Sequence, residues 1–378
     1  MSFTIPSNEV ITDALGDISQ LPDDMKMAVT SRIEKSFKPI PEPEGGDWLA
    51  QHEESGQTMK SFQINLSKAA PHGTHNTIYI QPIGSFDHPR APPVDVINEF
   101  ARAFFSGCEV ELLPTVDFTN NMKKRDRDGQ PQYLTGDIHH YLCQTRSKRD
   151  WRRELLCVAV TMADIYPAEG WNFVYGQARF IEHVGVYSFA RLDPLFYRAT
   201  AEEIHRTPLT EEHSTIILRR CIKIILHEVG HIFGLYHCIY YLCLMNGFNN
   251  ETEMDRKPLH LCPVCLHKLH STLQFDVRHL YVTFANLCDT YGLEKECKWY
   301  RKRLQYLHDE LKKACSDNKL EISGEPTPGK SGAFEVTVDE KLVHSKKDGD
   351  GFPDTEEKMN KIVKAVEEAG KEPAEEAK

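Results

Sequence analysis

The sequence predicts an α+β fold in which one long helix crosses a mixed sheet, and three observations predict it. Residues 156–162 are apolar and rich in β-branched side chains without alternation, which marks a strand buried on both faces. Residues 173–180 and 185–190 read as two further strands. From about Ser214 the periodicity becomes helical, with Ile217, Cys221 and Ile224 on one face, leading into a dense group of histidines at 227–237.

Taken from the start, residues 8–37 place apolar and charged positions at helical spacing, and Pro39-Ile40-Pro41-Glu42-Pro43 ends that region. A strand follows over 76–83. A helix over 93–106 carries Val94, Ile97, Ala101 and Phe104 on one face, a short strand covers 109–113, and a polar loop covers 116–131. The three strands and the long helix come next. Past residue 290, Tyr300, Leu304, Leu307, Leu311 and Ala314 alternate spacings of four and three in a charged background, so they form one apolar stripe on a helix.

With 378 residues the chain can bury a full core and has room for a large domain and a small module. A net charge of −11 argues against general binding to nucleic acid or anionic membranes. The basic runs at 123–125 and 146–153 are interrupted or followed by Asp126, Asp128 and Asp150, as in solvated loops. There is no apolar span of about 18 residues, and Met1-Ser2-Phe3-Thr4 leads into polar sequence without the apolar core of a signal peptide. Eleven cysteines, four at metal spacing and the rest scattered, suit a reducing compartment, so the expected location is cytosolic or nuclear.

The chemistry is concentrated at 227–265. His227 and His231 are four residues apart, so on a helix both imidazoles leave the same face and can grip one Zn²⁺, with Glu228 beside them as general base. Gly234 allows a turn with φ > 0 that brings His237 round as third ligand, and three neutral histidines leave the fourth zinc position open for water. Met245, eight residues after His237, stands where a Met-turn would floor such a site, although a lone Met is usually core packing. Cys238 and Cys243, then Cys262 and Cys265, have the spacing of a closed four-thiolate zinc site, which is structural. The alternative is a thioredoxin-like redox pair at Cys262-Pro263-Val264-Cys265. The expected cofactors are two zinc ions, one catalytic and one structural.

The run from His227 to Cys265 resembles the archaemetzincins, zinc metallopeptidases that couple a three-histidine motif to four cysteines, and is most similar to their type-two form. Ile78-Tyr79-Ile80-Gln81-Pro82-Ile83-Gly84, Thr161-Met162-Ala163-Asp164-Ile165-Tyr166-Pro167, Trp171-Asn172-Phe173-Val174-Tyr175-Gly176-Gln177 and Val184-Gly185-Val186-Tyr187-Ser188-Phe189-Ala190-Arg191 extend the resemblance over roughly residues 10–290. It implies a zincin or metzincin-like fold and a peptide or protein substrate. In that fold the last strand before the helix lies against bound peptide, which makes 185–190 the candidate substrate edge; the alternative is an ordinary interior strand.

Farther on, Gly324-Glu325-Pro326-Thr327-Pro328, Gly332-Ala333-Phe334-Glu335-Val336, Leu342-Val343-His344-Ser345-Lys346-Lys347 and Gly349-Asp350-Gly351-Phe352 resemble selenoprotein W and its thioredoxin-like relatives, to about residue 371. The resemblance implies a strand pair and a final helix. That family's paired redox cysteines have no counterpart, since only Cys288 and Cys297 occur nearby, at another spacing.

The expected division is therefore an N-terminal helical extension (1–75), a zinc peptidase domain (76–290), a charged connecting helix (291–315), a partial thioredoxin-like module (316–371) and an acidic tail (372–378). The expected function is peptide-bond hydrolysis by a zinc-activated water with Glu228 as base. The alternatives are a catalytically silent, zinc-stabilised adaptor and a thiol redox protein. Oligomeric state has no signal in the sequence.

Overall fold

Four short helices open the chain: α1 (Asn8–Leu15), α2 (Asp23–Val29), α3 (Trp48–Gln51) and α4 (Met59–Gln63). The helical spacing expected over 8–37 is thus broken, because Gly16 at φ 75° ends α1 and Pro22, with no N–H to give, starts α2. The computed structural model describes residues 3–30, 36–127, 129–314, 335–338, 341–345, 358, 361–362 and 364–365. Ala14, Met25, Ala28, Val29, Met59 and Phe62 from these helices all enter the main core.

The sheet begins with β1 (Thr77–Pro82), then α5 (Val94–Phe104) and β2 (Glu109–Leu112). Next come β3 (Lys124–Arg127), β4 (Gln130–Leu134), α6 (Thr135–Gln144), β5 (Glu154–Thr161) and β6 (Asp164–Tyr166). β7 (Gly176–Arg179), β8 (Val184–Ser188), α7 (Ala201–Arg206) and α8 (Glu211–Ile232) follow. Five strands pair in the order β2-β1-β5-β8-β7, parallel throughout except that β7 runs antiparallel to β8, so the architecture is mixed α/β. Every residue of β5 is buried, as its unbroken apolar run requires.

Alternate residues face two cores. Ile78, Ile80, Leu156, Val158, Val160 and Tyr187 join the larger one with α5 and α8, while Tyr79, Cys157, Ala159, Val184 and Val186 pack against Ile138 and Leu142 of α6 on the other side. The strand at 185–190 is therefore not the edge expected of it. β8 lies between β5 and β7, and the tight turn at 180–183, with His183 at φ 52°, folds β7 back along its outside. Among the described residues the edge strands of this sheet are β2 and β7, and β7 is the edge on the side of β8.

Two more corrections concern polar segments. The loop expected over 116–131 contains the hairpin of β3 and β4, and β4 also pairs in parallel with β6. β3 reads Lys124-Arg125-Asp126-Arg127 and is partly or fully exposed, so it carries no apolar alternation to announce it. α8 starts at Glu211, three residues before Ser214, because Thr210 caps it by accepting the His213 N–H at 3.2 Å.

The chain continues through α9 (Glu251–Arg256), α10 (Pro263–Leu273), α11 (Val277–Thr290) and α12 (Glu294–Ala314). On α12 Tyr300 and Leu307 are buried and Leu304 is half-buried; the side chains of Leu311 and Ala314 lie outside the described residues. Two compact units divide the chain, Met1–Leu307 and His308–Lys378. In the second, β9 (Glu335–Val338) pairs antiparallel with β10 (Lys341–Ser345), and His344 and Ser345 are buried. Residues 324–328, 349–352 and 372–378 lie outside the described part. No described helix is long and apolar enough to cross a membrane.

Candidate active site

The last turns of α8 carry His227, Glu228 and His231, and helical spacing puts the two imidazole rings 4.6 Å apart, edge to face. Gly234 follows at φ 88°, donating its N–H to His231 O at 2.8 Å, and the reversal brings the His237 ring within 5.4 Å of His227 and 4.9 Å of His231. Ligand atoms of all three histidines lie within 4.8 Å of one another.

Each ring is fixed through its other nitrogen. His227 Nδ1 meets Leu244 O at 2.8 Å, His231 Nδ1 meets Leu235 O at 2.6 Å, and His237 Nδ1 meets Glu54 Oε1 at 2.8 Å. Carbonyl and carboxylate oxygens only accept, so each Nδ1 carries the hydrogen and each Nε2 presents a lone pair. His227 Nε2 and His231 Nε2 then face each other at 3.0 Å with no proton between them, an arrangement that suits a cation held by both. Tetrahedral zinc, with bonds of about 2.0–2.1 Å, keeps its nitrogens roughly 3.3 Å apart. Burial pushes His231 down to about 3 and His227 well below its ordinary value, which keeps both rings neutral as ligands must be.

Glu228 is half-buried beside this group, and loss of water contact raises its carboxyl to about 7, in the range a general base uses near neutral pH. Met245 lies below, fully buried. A Cβ at Gly230 would stand 2.8 Å from its Sδ, so the glycine inside the histidine pair gives the thioether its room.

The four cysteines converge beside the histidines. All are buried, their Sγ atoms lie within 4.8 Å of one another, and Cys238 Sγ is 3.6 Å from Cys262 Sγ, against roughly 3.8 Å between sulfurs on tetrahedral zinc with 2.3 Å bonds. Cys243 Sγ accepts the Cys262 N–H at 3.2 Å and the Met245 N–H at 3.5 Å. Cys262 stands at the N-cap of α10, Pro263 takes its first position and Cys265 sits in the first turn. Asn246 closes the loop between the first two cysteines: its Nδ2 donates to Cys238 O at 2.7 Å and Tyr241 O at 2.8 Å, and its Oδ1 accepts the Cys243 N–H at 2.7 Å. The same loop supplies Leu244 O, which holds His227. Because Cys238 and Cys243 stand against Cys262 and Cys265, the latter two are not an isolated pair as a redox site would need.

Glu54, Gln57, Trp48 and Asn246 carry no pattern that reading the sequence could use. Gln57 brackets the loop before His237, donating Nε2–H to Gly234 O at 2.9 Å and accepting the Tyr236 N–H at 3.3 Å. These residues are 177 and 179 positions apart in the chain, so only the fold joins them.

Residues 152–271, which contain every histidine and cysteine of both clusters, match the model of Peptidase family M54. Archaemetzincin-2 of Rattus norvegicus is 34% identical over 275 residues, covering 67% of this chain and 75% of the relative, and archaemetzincin-2 of Homo sapiens is 33% identical over 274 residues with the same coverage. The chain belongs to the archaemetzincin family. Archaemetzincins are zinc metallopeptidases, and the type-two relatives match a larger share than archaemetzincin-1 of Rattus norvegicus, which is 32% identical over 258 residues and of which the chain covers 50%. The crystal structure of an archaemetzincin from Methanopyrus kandleri aligns with 54% of the chain at 27% identity and a TM-score of 0.39. Past this archaemetzincin region, residues 295–364 match the Rdx family, the group that includes the selenoprotein W-like proteins.

Proposed function

We propose that the chain is a peptidase whose catalytic zinc is held by His227, His231 and His237, with a second, structural zinc held by Cys238, Cys243, Cys262 and Cys265. The observation that carries this reading is the shared tautomer of the three histidines: each Nδ1–H is spent on a fixed oxygen, so three bare Nε2 atoms meet beside Glu228. When bound, zinc supplies a Lewis acid that polarises the scissile carbonyl and acidifies a water.

The chain's residues do the rest. Glu228 accepts the water proton on its carboxylate and later gives it to the departing amine. Among the described residues β7 has one side unpaired in the sheet, so an extended peptide can add there through main-chain hydrogen bonds, next to Tyr175, whose ring packs on Phe248 and through it toward His227. The four-cysteine site braces the Cys238–Asn246 loop and with it Leu244 O. The fold this reading implies is metzincin-like, with Met245 as the apolar floor. The segments outside it, the charged helix at 291–315 and the module at 316–371, take no part in the chemistry.

Glu228→Gln tests the reading, since it keeps shape and removes the base. The variant should fold and hold its zinc while hydrolysis of a cleavable peptide falls by roughly two to four orders of magnitude. Full activity in that variant sinks the mechanism. An adaptor that only binds peptide would show no turnover in the wild-type chain across a broad peptide library.

A further inference from the structure

His237 is the one histidine of the three that is not held by a neighbouring carbonyl. Its Nδ1 hydrogen goes to a carboxylate 183 residues earlier in the chain, Glu54 Oε1 at 2.8 Å. The same oxygen accepts the indole N–H of Trp48 at 2.8 Å, and the Trp48 ring sets its edge against the His237 ring, 4.9 Å between centroids at 79°. Trp48 is anchored in turn: its backbone N–H lies 3.1 Å from both oxygens of the buried Glu253, which also accepts the Asn249 N–H at 2.8 Å. Gly247 leaves room for the indole, since a Cβ there would stand 2.5 Å from Trp48 Cδ1. Glu54 is thus aimed at His237 by a chain of contacts that begins on α9, and both hydrogens its Oε1 accepts come from the ring and from Trp48. It addresses the imidazole rather than the space the three Nε2 atoms share.

We propose that Glu54 is the positioning residue of the third zinc ligand: its carboxylate fixes the tautomer and tilt of His237 and makes that imidazole a stronger donor, so that residues 48–54 are part of the metal centre. The proposal rests on the peptidase reading of the three-histidine site. A carboxylate behind a metal-bound histidine pins the ring and raises its basicity, and removing one costs metal affinity about 10–100-fold. Part of the Glu54 contribution is geometric, because His237 hangs on a loop after the Gly234 reversal and lacks the helix that orients His227 and His231.

The full-length, zinc-loaded chain is challenged with 4-(2-pyridylazo)resorcinol, and zinc release is followed for wild type, Glu54→Ala, Glu54→Gln and His231→Ala; visible spectra are recorded after Co²⁺ exchange. In the wild type a labile zinc should leave first, and it should be missing from His231→Ala. Glu54→Ala should weaken that zinc by about 10–100-fold and shift the cobalt bands of the nitrogen site, with the sulfur-held zinc unmoved. Glu54→Gln keeps an acceptor for the His237 and Trp48 hydrogens without the charge, so it should fall between the two. A folded Glu54→Ala that holds the labile zinc as the wild type does overturns the proposal. If Glu54→Ala does not fold, Glu54→Gln decides, and wild-type zinc affinity with unchanged cobalt bands in that variant overturns it equally. A wild-type chain with no labile zinc that His231→Ala removes overturns the peptidase reading and this inference together, whereas a labile zinc insensitive to residue 54 sinks this inference alone.

Discussion

At the scale of single residues, the site depends on positions whose chemistry is set by where the backbone lets them stand. Gly234 is the sharpest case. Its φ of 88° lies where an L side chain is strained, and an added Cβ would approach Lys68 Cβ at 2.7 Å. Gly234→Ala should therefore cost at least about 1–2 kcal/mol from the backbone alone. His237 should be displaced with it, so a lowered melting temperature is expected together with faster loss of the labile zinc. A variant with normal zinc retention would show that the reversal is not what delivers His237. That His227, His231 and His237 come together, and likewise the four cysteines, was legible because helical spacing and short loops translate directly into neighbouring side chains. Glu54, Gln57 and Trp48 were not, because their partners lie 177 or more residues away and a lone Glu or Gln in polar sequence looks like any surface residue.

At the scale of elements, strands that the sequence announced by apolar runs appeared where expected, and those made of charged residues did not. β5 was legible from residues 156–162, while β3 was hidden by Lys124, Arg125, Asp126 and Arg127. Which strand lies at the edge was not legible. Val184, Val186 and Tyr187 on β8 are fully buried and point to both cores, and burial on two faces says nothing about whether the two flanks are paired. The cysteine loop is the element whose loss should spread furthest. On the proposed reading Cys262→Ser removes one of four thiolates from a structural zinc site, and the binding energy of such sites is folding energy, on the order of 10 kcal/mol in small zinc domains. The variant should lose the sulfur-held zinc, melt at lower temperature and also bind the catalytic zinc more weakly, because the loop that carries Leu244 O is the one that loosens. Two zinc ions per chain and unchanged melting in Cys262→Ser would contradict this coupling.

For the whole molecule, residues up to Leu307 form a compact unit that contains both clusters and the N-terminal helices. A chain ending at Ala314 is expected to keep both zinc ions and full peptide hydrolysis, checked by elemental analysis and a peptide cleavage assay. Loss of activity in a folded truncated chain would assign the C-terminal unit a part in substrate binding. The same long-range ties have a consequence in time. Trp48 reaches Glu253 across 205 residues and Glu54 reaches His237 across 183. At synthesis rates of about 5–20 residues per second, the ribosome needs roughly 10–40 s to make the partners of residues 48–54 after making those residues themselves. During that interval Trp48 has no Glu253 to anchor on, and Glu54 has no imidazole to face until the loop carrying His237 is made. The candidate metal centre is in this sense a late product of translation: a nascent chain short of residue 237 has neither cluster complete, and one short of residue 265 still lacks the four-cysteine set.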